Sequence, residues 1–347
     1  MPINDLDTPT LIADLDVLEQ NIKGMATHCR NIDIPLRVHT KTHKVPEIAK
    51  LQLDAGSQGI TCQKLGEAET MVAAGIGDIL IPYNIVGKPK LERLTALSRQ
   101  ARIIVALDSE ETAVGISQQA DADGCVIPVV LELDTGGGRC GVGSPQQAQQ
   151  LAQKVVKMPG IDFQGVMTYP SNVNAKPFIE ETVDLLKKDG ISVKIISGGG
   201  TGSEVASKEL GCTETRSGSY VYEGMTRIGN SEMLSPERCV LRVLVTVVST
   251  PTSDRIIVDG GQKTFTSYPP TPYGHIIEFP EAKIYGMSVE HGHIDVSECS
   301  HQFRVGEKLS VIPLHQGMTS NLHDELIGVR GHTVETVWQI AGRGKVK

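Results

Sequence analysis

Between residue 10 and about residue 220, short apolar runs rich in β-branched residues alternate with longer amphipathic stretches, and Gly, Pro or Asp punctuates each pair. The short runs predict strands at Leu36–His39, Gly59–Thr61, Asp78–Ile81, Ile103–Ala106, Val126–Leu133, Phe163–Val166 and Val193–Ser197, with a weaker one near Thr213–Arg216. Helical spacing is present over Val17–Cys29, Val45–Ala55, Lys64–Ala74, Lys88–Ser98, Gln146–Met158 and Ile179–Asp189. Strands and helices spaced as right-handed parallel crossovers require, with eight strands in all, imply a closed (β/α)8 barrel. After about Ser235 the texture changes. Val240–Ser249, Arg255–Val258, Ala282–Val289, Lys308–Ile312 and Val334–Ile340 are strand-like, turn residues replace the helices, and the Pro-rich patch Tyr268–Tyr273 reads as a loop. The expected fold is therefore α/β: a barrel over residues 15–236, then an all-β C-terminal domain over 237–347 to which 1–14 also contributes.

Length agrees, since 347 residues exceed the roughly 250–300 at which a single core stops growing. At 39% hydrophobic and 21% charged, the composition is that of a globular protein, and the absence of any apolar run of about 18 residues argues against a membrane partner. A net charge of −8 without basic runs argues against nucleic acid, leaving a small molecule as the expected partner. Residues Met1 to Asp7 carry neither a basic start nor an apolar stretch, so a cytoplasmic location is expected. Seven scattered cysteines, odd in number and without a C-x-x-C pair, fit buried reduced thiols.

The densest chemical signal is Arg37-Val38-His39-Thr40-Lys41-Thr42-His43-Lys44, directly after the first barrel strand and so at the C-terminal mouth, where βα loops build active sites. A Lys/His-rich loop is otherwise plain solvated surface. A lysine that condenses with an aldehyde must lose its proton, and cationic neighbours with partial burial depress its pKa in that direction. Later, Ser197-Gly198-Gly199-Gly200-Thr201-Gly202 follows a strand with the close backbone approach that a phosphate needs, although glycine clusters also make ordinary turns. Gly218-Ser219-Tyr220 follows the next strand, so two adjacent late loops are placed to close on one phosphate.

With these segments, the opening Asp7-Thr8-Pro9-Thr10-Leu11, Gln63-Lys64-Leu65-Gly66-Glu67-Ala68 and Asp134-Thr135-Gly136-Gly137-Gly138-Arg139-Cys140-Gly141-Val142, nearly the whole chain resembles the fold-type III pyridoxal-phosphate enzymes. These have an alanine-racemase-like barrel, and the likeness is to the D-threonine aldolase and D-serine dehydratase group. The resemblance implies that Lys41 is the Schiff-base lysine, with His39 a nearby cofactor contact. It implies that Arg139 lies beside the cofactor's phenolic oxygen and that Tyr169 is an active-site tyrosine. Gly200, Thr201, Gly218, Ser219 and Tyr220 would be phosphate contacts, and the protein would be a homodimer. Read without the family, Arg139 is equally a surface arginine capping the following helix, and Tyr169 a core residue ending a strand.

Two positions depart from the group's pattern. Its hydroxy-amino-acid lyases carry a His-x-Asp or His-x-Cys metal pair before Asn-Leu-His-Asp, but here His315 is followed at the second position by Gly317, which offers no donor. His293 or His323 could substitute, or His315 could act without metal as the base for the substrate hydroxyl. After Tyr169, where aldolase-like members often carry histidine, stand Pro170 and Ser171. The leading expectation is retro-aldol cleavage of a small D-3-hydroxy amino acid. β-Elimination of ammonia, racemisation and a non-catalytic cofactor carrier are the alternatives, and the extra β domain argues against the carrier.

Overall fold

A computed structural model of the chain describes residues 1–224, 235–266 and 273–347; most of the Pro-rich patch, residues 268–272, lies outside them. The chain opens with β1 (Thr10–Asp14) and α1 (Leu15–Asn31), then alternates β2 (Arg37–His39), α2 (Pro46–Asp54), β3 (Gly59–Thr61), α3 (Leu65–Ala73), β4 (Asp78–Ile81) and α4 (Lys88–Ser98). It continues through β5 (Arg102–Leu107), α5 (Glu110–Ala122), β6 (Ile127–Leu133), α6 (Pro145–Val155), β7 (Ile161–Thr168), α7 (Lys176–Lys188), β8 (Ile195–Gly198), α8 (Glu204–Glu209) and β9 (Glu214–Thr215). Residue contacts divide the molecule into one unit of Gly24–Lys41, Pro46–Gly218 and Gly344–Lys347 and another of Met1–Lys23, Thr42–Val45 and Ser219–Arg343.

In the first unit, β2 to β9 lie side by side in chain order, all parallel. A bridge between Leu36 and Thr215 closes the ring, with the Thr215 N–H donating to Pro35 O at 2.9 Å and the His39 N–H to Ser217 O at 2.9 Å. Strands in a closed parallel barrel are covered on both faces, so they read as continuous apolar runs. β5 and β6 show this, with Ile103, Ile104, Val105, Ala106, Val129, Val130 and Leu131 all buried. Each such Ile, Leu or Val contributes about 1.5–3 kcal/mol by leaving water. Ser109 and Ser144 start α5 and α6 by accepting the N–H of Thr112 and Gln147, as N-cap serines do.

The second unit is a nine-stranded sheet. Besides β1 it contains β10 (Leu241–Thr252), β11 (Arg255–Val258), β12 (Gly274–Ile276), β13 (Lys283–Met287), β14 (Gly292–Asp295), β15 (Lys308–Pro313), β16 (Glu325–Arg330) and β17 (Thr333–Gln339). Its order is β11-β14-β13-β12-β15-β10-β1-β16-β17, and the β10–β11 hairpin closes the first six into a ring. All pairings are antiparallel except β1 with β16. One-turn helices α9 (Gln262–Phe265) and α10 (Gln316–Ser320) sit between strands.

Candidate active site

β2 ends at His39, and a 3-10 turn, Thr40–Thr42, carries Lys41 off the C-terminal end of the barrel. The Thr40 hydroxyl donates to Thr61 O at 3.0 Å and fixes the turn to the neighbouring strand. Buried His39 is held by two contacts of opposite sense: its Nε2 meets Gln63 Oε1 at 3.1 Å and its Nδ1 accepts the Lys41 N–H at 3.4 Å. Only the neutral tautomer with the proton on Nε2 satisfies both. Burial, joined by the Lys41 and Arg216 charges, pushes the His39 pKa well below its usual value, in agreement. Lys41 reaches solvent, yet protein crowds its amine. Desolvation first, then the Arg139 and Arg216 guanidiniums, lower its pKa, against an opposing pull from Glu67.

Arg139 reaches the same region from the loop after β6. Asp134 Oδ1 accepts the N–H groups of Gly136, Gly137 and Gly138 at 3.1, 2.9 and 3.1 Å, and these three bonds hold its carboxyl below the usual range. The loop then folds back so that the Val142 N–H meets Glu132 O at 2.9 Å. Gly141 is required there: at φ +111 its Cβ would lie 2.5 Å from Asp134 N. Arg139 projects over the Tyr169 ring, 5.2 Å from its centroid, and pairs with Glu132 at 3.5 Å. The helix that follows is capped by Ser144 instead. Tyr169 is 42% exposed, so it is a mouth residue and not a core one.

The loops after β8 and β9 lie against one another. Gly199 brings its backbone so near Arg216 that a Cβ would stand 2.7 Å from the Arg216 Cβ. The Gly200 N–H donates to Arg216 O at 3.3 Å, and the Gly218 N–H to Thr201 Oγ1 at 3.1 Å. Ser171, in the segment where aldolase-like members often carry histidine, is buried and accepts the Gly199 N–H at 2.8 Å. Ser219 and Tyr220 begin a 3-10 turn, Ser219–Val221, directly after Gly218.

Two charged residues that pattern reading passed over, Arg216 after β9 and Glu132 near the end of β6, share this end of the barrel. Arg216, 5% exposed, donates to Ser197 Oγ at 2.7 Å and Thr168 O at 2.8 Å. Ser197 donates to Glu214 at 2.5 Å, and Glu214 receives Arg37 Nε at 2.8 Å, so a chain of polar contacts threads the barrel. Glu132, 2% exposed, has its pKa raised by burial, with Arg139 and Arg216 opposing. A lone carboxylate in the apolar run Val126–Leu133 was the available signal. Arg216 had none beyond its place two residues before Gly218.

His315 belongs to the sheet unit. It caps α10, its Nδ1 accepting the Met318 N–H at 3.2 Å. The suggested substitutes are also engaged: His323 Nε2 meets Thr264 O at 3.0 Å and His293 Nε2 meets Ser288 Oγ at 3.0 Å. Among the described residues no group of three or more His, Cys, Asp or Glu could hold a metal ion. With Gly317 lacking a donor atom, the donor set does not fit a divalent cation. The barrel's donor set does fit a phosphorylated aldehyde: an amine of lowered pKa, two guanidiniums, and a glycine loop in which Gly198 and Gly199 have no room for a Cβ.

A parallel barrel with such a lysine after its first strand defines the class, an alanine-racemase-like barrel of the fold-type III pyridoxal-phosphate enzymes. Residues 13–226 match the alanine racemase, N-terminal domain family, and residues 240–329 the putative serine dehydratase domain. The chain is 36% identical to D-threonine aldolase of Arthrobacter sp, covering 99% of this chain and 94% of that one. It is 31% identical to 3-hydroxy-D-aspartate aldolase of Paracoccus denitrificans (strain Pd 1222), with the same coverage. The crystal structure of D-threonine aldolase from Filomicrobium marinum superposes with a TM-score of 0.90 at 32% identity, covering 100% of this chain and 98% of that one. The chain belongs to the alanine racemase N-terminal-domain family, in its D-threonine aldolase and D-serine dehydratase-like group.

Proposed function

We propose that this protein is a pyridoxal-phosphate-dependent lyase that cleaves a small D-3-hydroxy amino acid between Cα and Cβ, releasing glycine and an aldehyde. The observation that carries the reading is the Lys41 amine, held by the turn after β2 at the C-terminal end of the barrel, where burial and the charges of Arg139 and Arg216 lower its pKa. When bound, the cofactor supplies an electron sink for the pair left at Cα. Lys41 provides the unprotonated amine that its aldehyde requires. Arg139, which pairs with Glu132 and lies over the Tyr169 ring, would meet the cofactor's anionic ring oxygen. Neutral His39 would lie beside the cofactor, and Gly200, Thr201, Gly218, Ser219 and Tyr220 would hold its phosphate. His315 is given the hydroxyl proton on chemical grounds, because burial lowers its pKa and keeps the ring neutral at pH 7. The enzyme is proposed to work in the cytoplasm, and, as the resemblance implies, as a homodimer.

The test is to supply D-threonine and D-3-hydroxyaspartate and to measure aldehyde and glycine. Aldehyde is expected from the D isomers, none from the L isomers, and none from a Lys41→Ala variant. Wild-type protein that keeps its cofactor and yields no aldehyde overturns the reading. Gly317 favours racemisation as a second reading, since without a metal the hydroxyl is less activated while Lys41 and Tyr169 remain as a pair of bases. Interconversion of D and L substrate without aldehyde would select it.

A further inference from the structure

The glycine loop after β8 contains an anionic group that the proposed chemistry does not use. Glu204 opens α8, and its side chain is turned back into the loop and is only 4% exposed. Its two carboxylate oxygens accept the Gly202 N–H at 3.0 and 3.1 Å, and Oε1 also accepts the Ser217 hydroxyl at 2.6 Å. Among the described residues no Lys, Arg or His forms an ion pair with it. A buried carboxylate is costly unless donors surround it, so these donors must be held where they are, and the carboxylate in turn holds them.

The position of those donors is informative. Gly202 belongs to the loop after β8 and has φ +91, a conformation available to glycine and strained for other residues. Ser217 belongs to the loop after β9, and its carbonyl receives the His39 N–H from the turn that leads to Lys41. One carboxylate thus joins the two loops proposed to share a phosphate. A second crosslink, Gly218 N–H to Thr201 Oγ1, lies directly beside it.

We propose that Glu204 is a positioning residue that clamps the two phosphate-binding loops together, and so sets the preference of this protein for a phosphorylated over an unphosphorylated cofactor. The proposal rests on the pyridoxal-phosphate reading given above. It separates Glu204 from an ordinary structural carboxylate, because removing the clamp should affect the phosphate end of the ligand and not the Lys41 end.

The experiment strips full-length protein of cofactor by dialysis against hydroxylamine. Wild type, Glu204→Ala, Glu204→Gln and Ser217→Ala are then titrated with pyridoxal phosphate and separately with pyridoxal, following absorbance of the linked lysine. For Glu204→Ala the affinity for pyridoxal phosphate is expected to fall by at least about tenfold, the loss of one charge-assisted hydrogen bond, while that for pyridoxal changes by less than about threefold. Glu204→Gln keeps an acceptor oxygen and is expected to restore most of the loss. Ser217→Ala, which leaves Glu204 in place, is expected to lose part of it and carries the test if Glu204→Ala does not fold. Equal weakening for both ligands, or no change for either, overturns the clamp. Wild type that binds neither ligand overturns the cofactor reading itself, and the clamp with it.

Discussion

At the residue scale the electrostatic setting of Lys41 makes a measurable statement. A lysine whose pKa is lowered has more free amine at neutral pH, so the rate at which apoprotein links pyridoxal phosphate should rise with pH through a midpoint below the ordinary value of 10.5. Arg139→Ala removes one of the positive charges that disfavour the ammonium form. The midpoint should then move up, and the rate at pH 7 should fall in proportion to the free amine, on the order of tenfold if the midpoint rises by about one pH unit. Stopped-flow absorbance across pH tests this, and a midpoint that stays put would refute the role given to Arg139. Gly317 leads to a different expectation. Prolonged EDTA treatment followed by desalting should leave turnover within about twofold, whereas His315→Ala should lower kcat by about 10²-fold or more if the imidazole takes the hydroxyl proton. Turnover abolished by EDTA and restored by Mn²⁺ would show that a cation is held despite the missing donor.

At the scale of elements, the barrel strands were legible because both faces are covered and most of the residues are apolar. β6, apolar but for Glu132, lies within the expected Val126–Leu133. α5 (Glu110–Ala122) carries a weak signal, since of its buried positions Thr112, Ala113, Ile116, Ser117 and Ala120 only Ile116 is large. β12 (Gly274–Ile276) and β14 (Gly292–Asp295) are short and carry a single isoleucine each, so no apolar run marks them. What periodicity could not supply is the polar thread inside the barrel. Arg37 and Glu214 lie on β2 and β9, whose bridging closes the ring, and both are about 3% exposed or less. Asp78 also pairs with Arg37, so Glu214→Ala leaves the guanidinium one carboxylate and should cost about 1.5–3 kcal/mol in chemical denaturation, the worth of a hydrogen bond between charged groups. A loss under about 1 kcal/mol would mean that Asp78 alone suffices to hold Arg37.

For the whole molecule, no helix among the described residues is long and apolar enough to cross a membrane. The proposed homodimer is checked by light scattering at micromolar concentration, where twice the chain mass is expected and a single-chain mass would refute it. The amino-acid sequence by itself determined the alternation of strands and helices, the later all-β texture, and the positions of Lys41 and the glycine loop, because periodicity and backbone demands are local along the chain. Only the tertiary structure decided that Glu132 faces Arg139, that Arg216 is anchored by Ser197 and Thr168, and that Glu204 bridges two loops. Those pairings join residues 7 to 48 positions apart, and for charged side chains, partnership depends on distance in space and on the water excluded between them, which no spacing along the chain records.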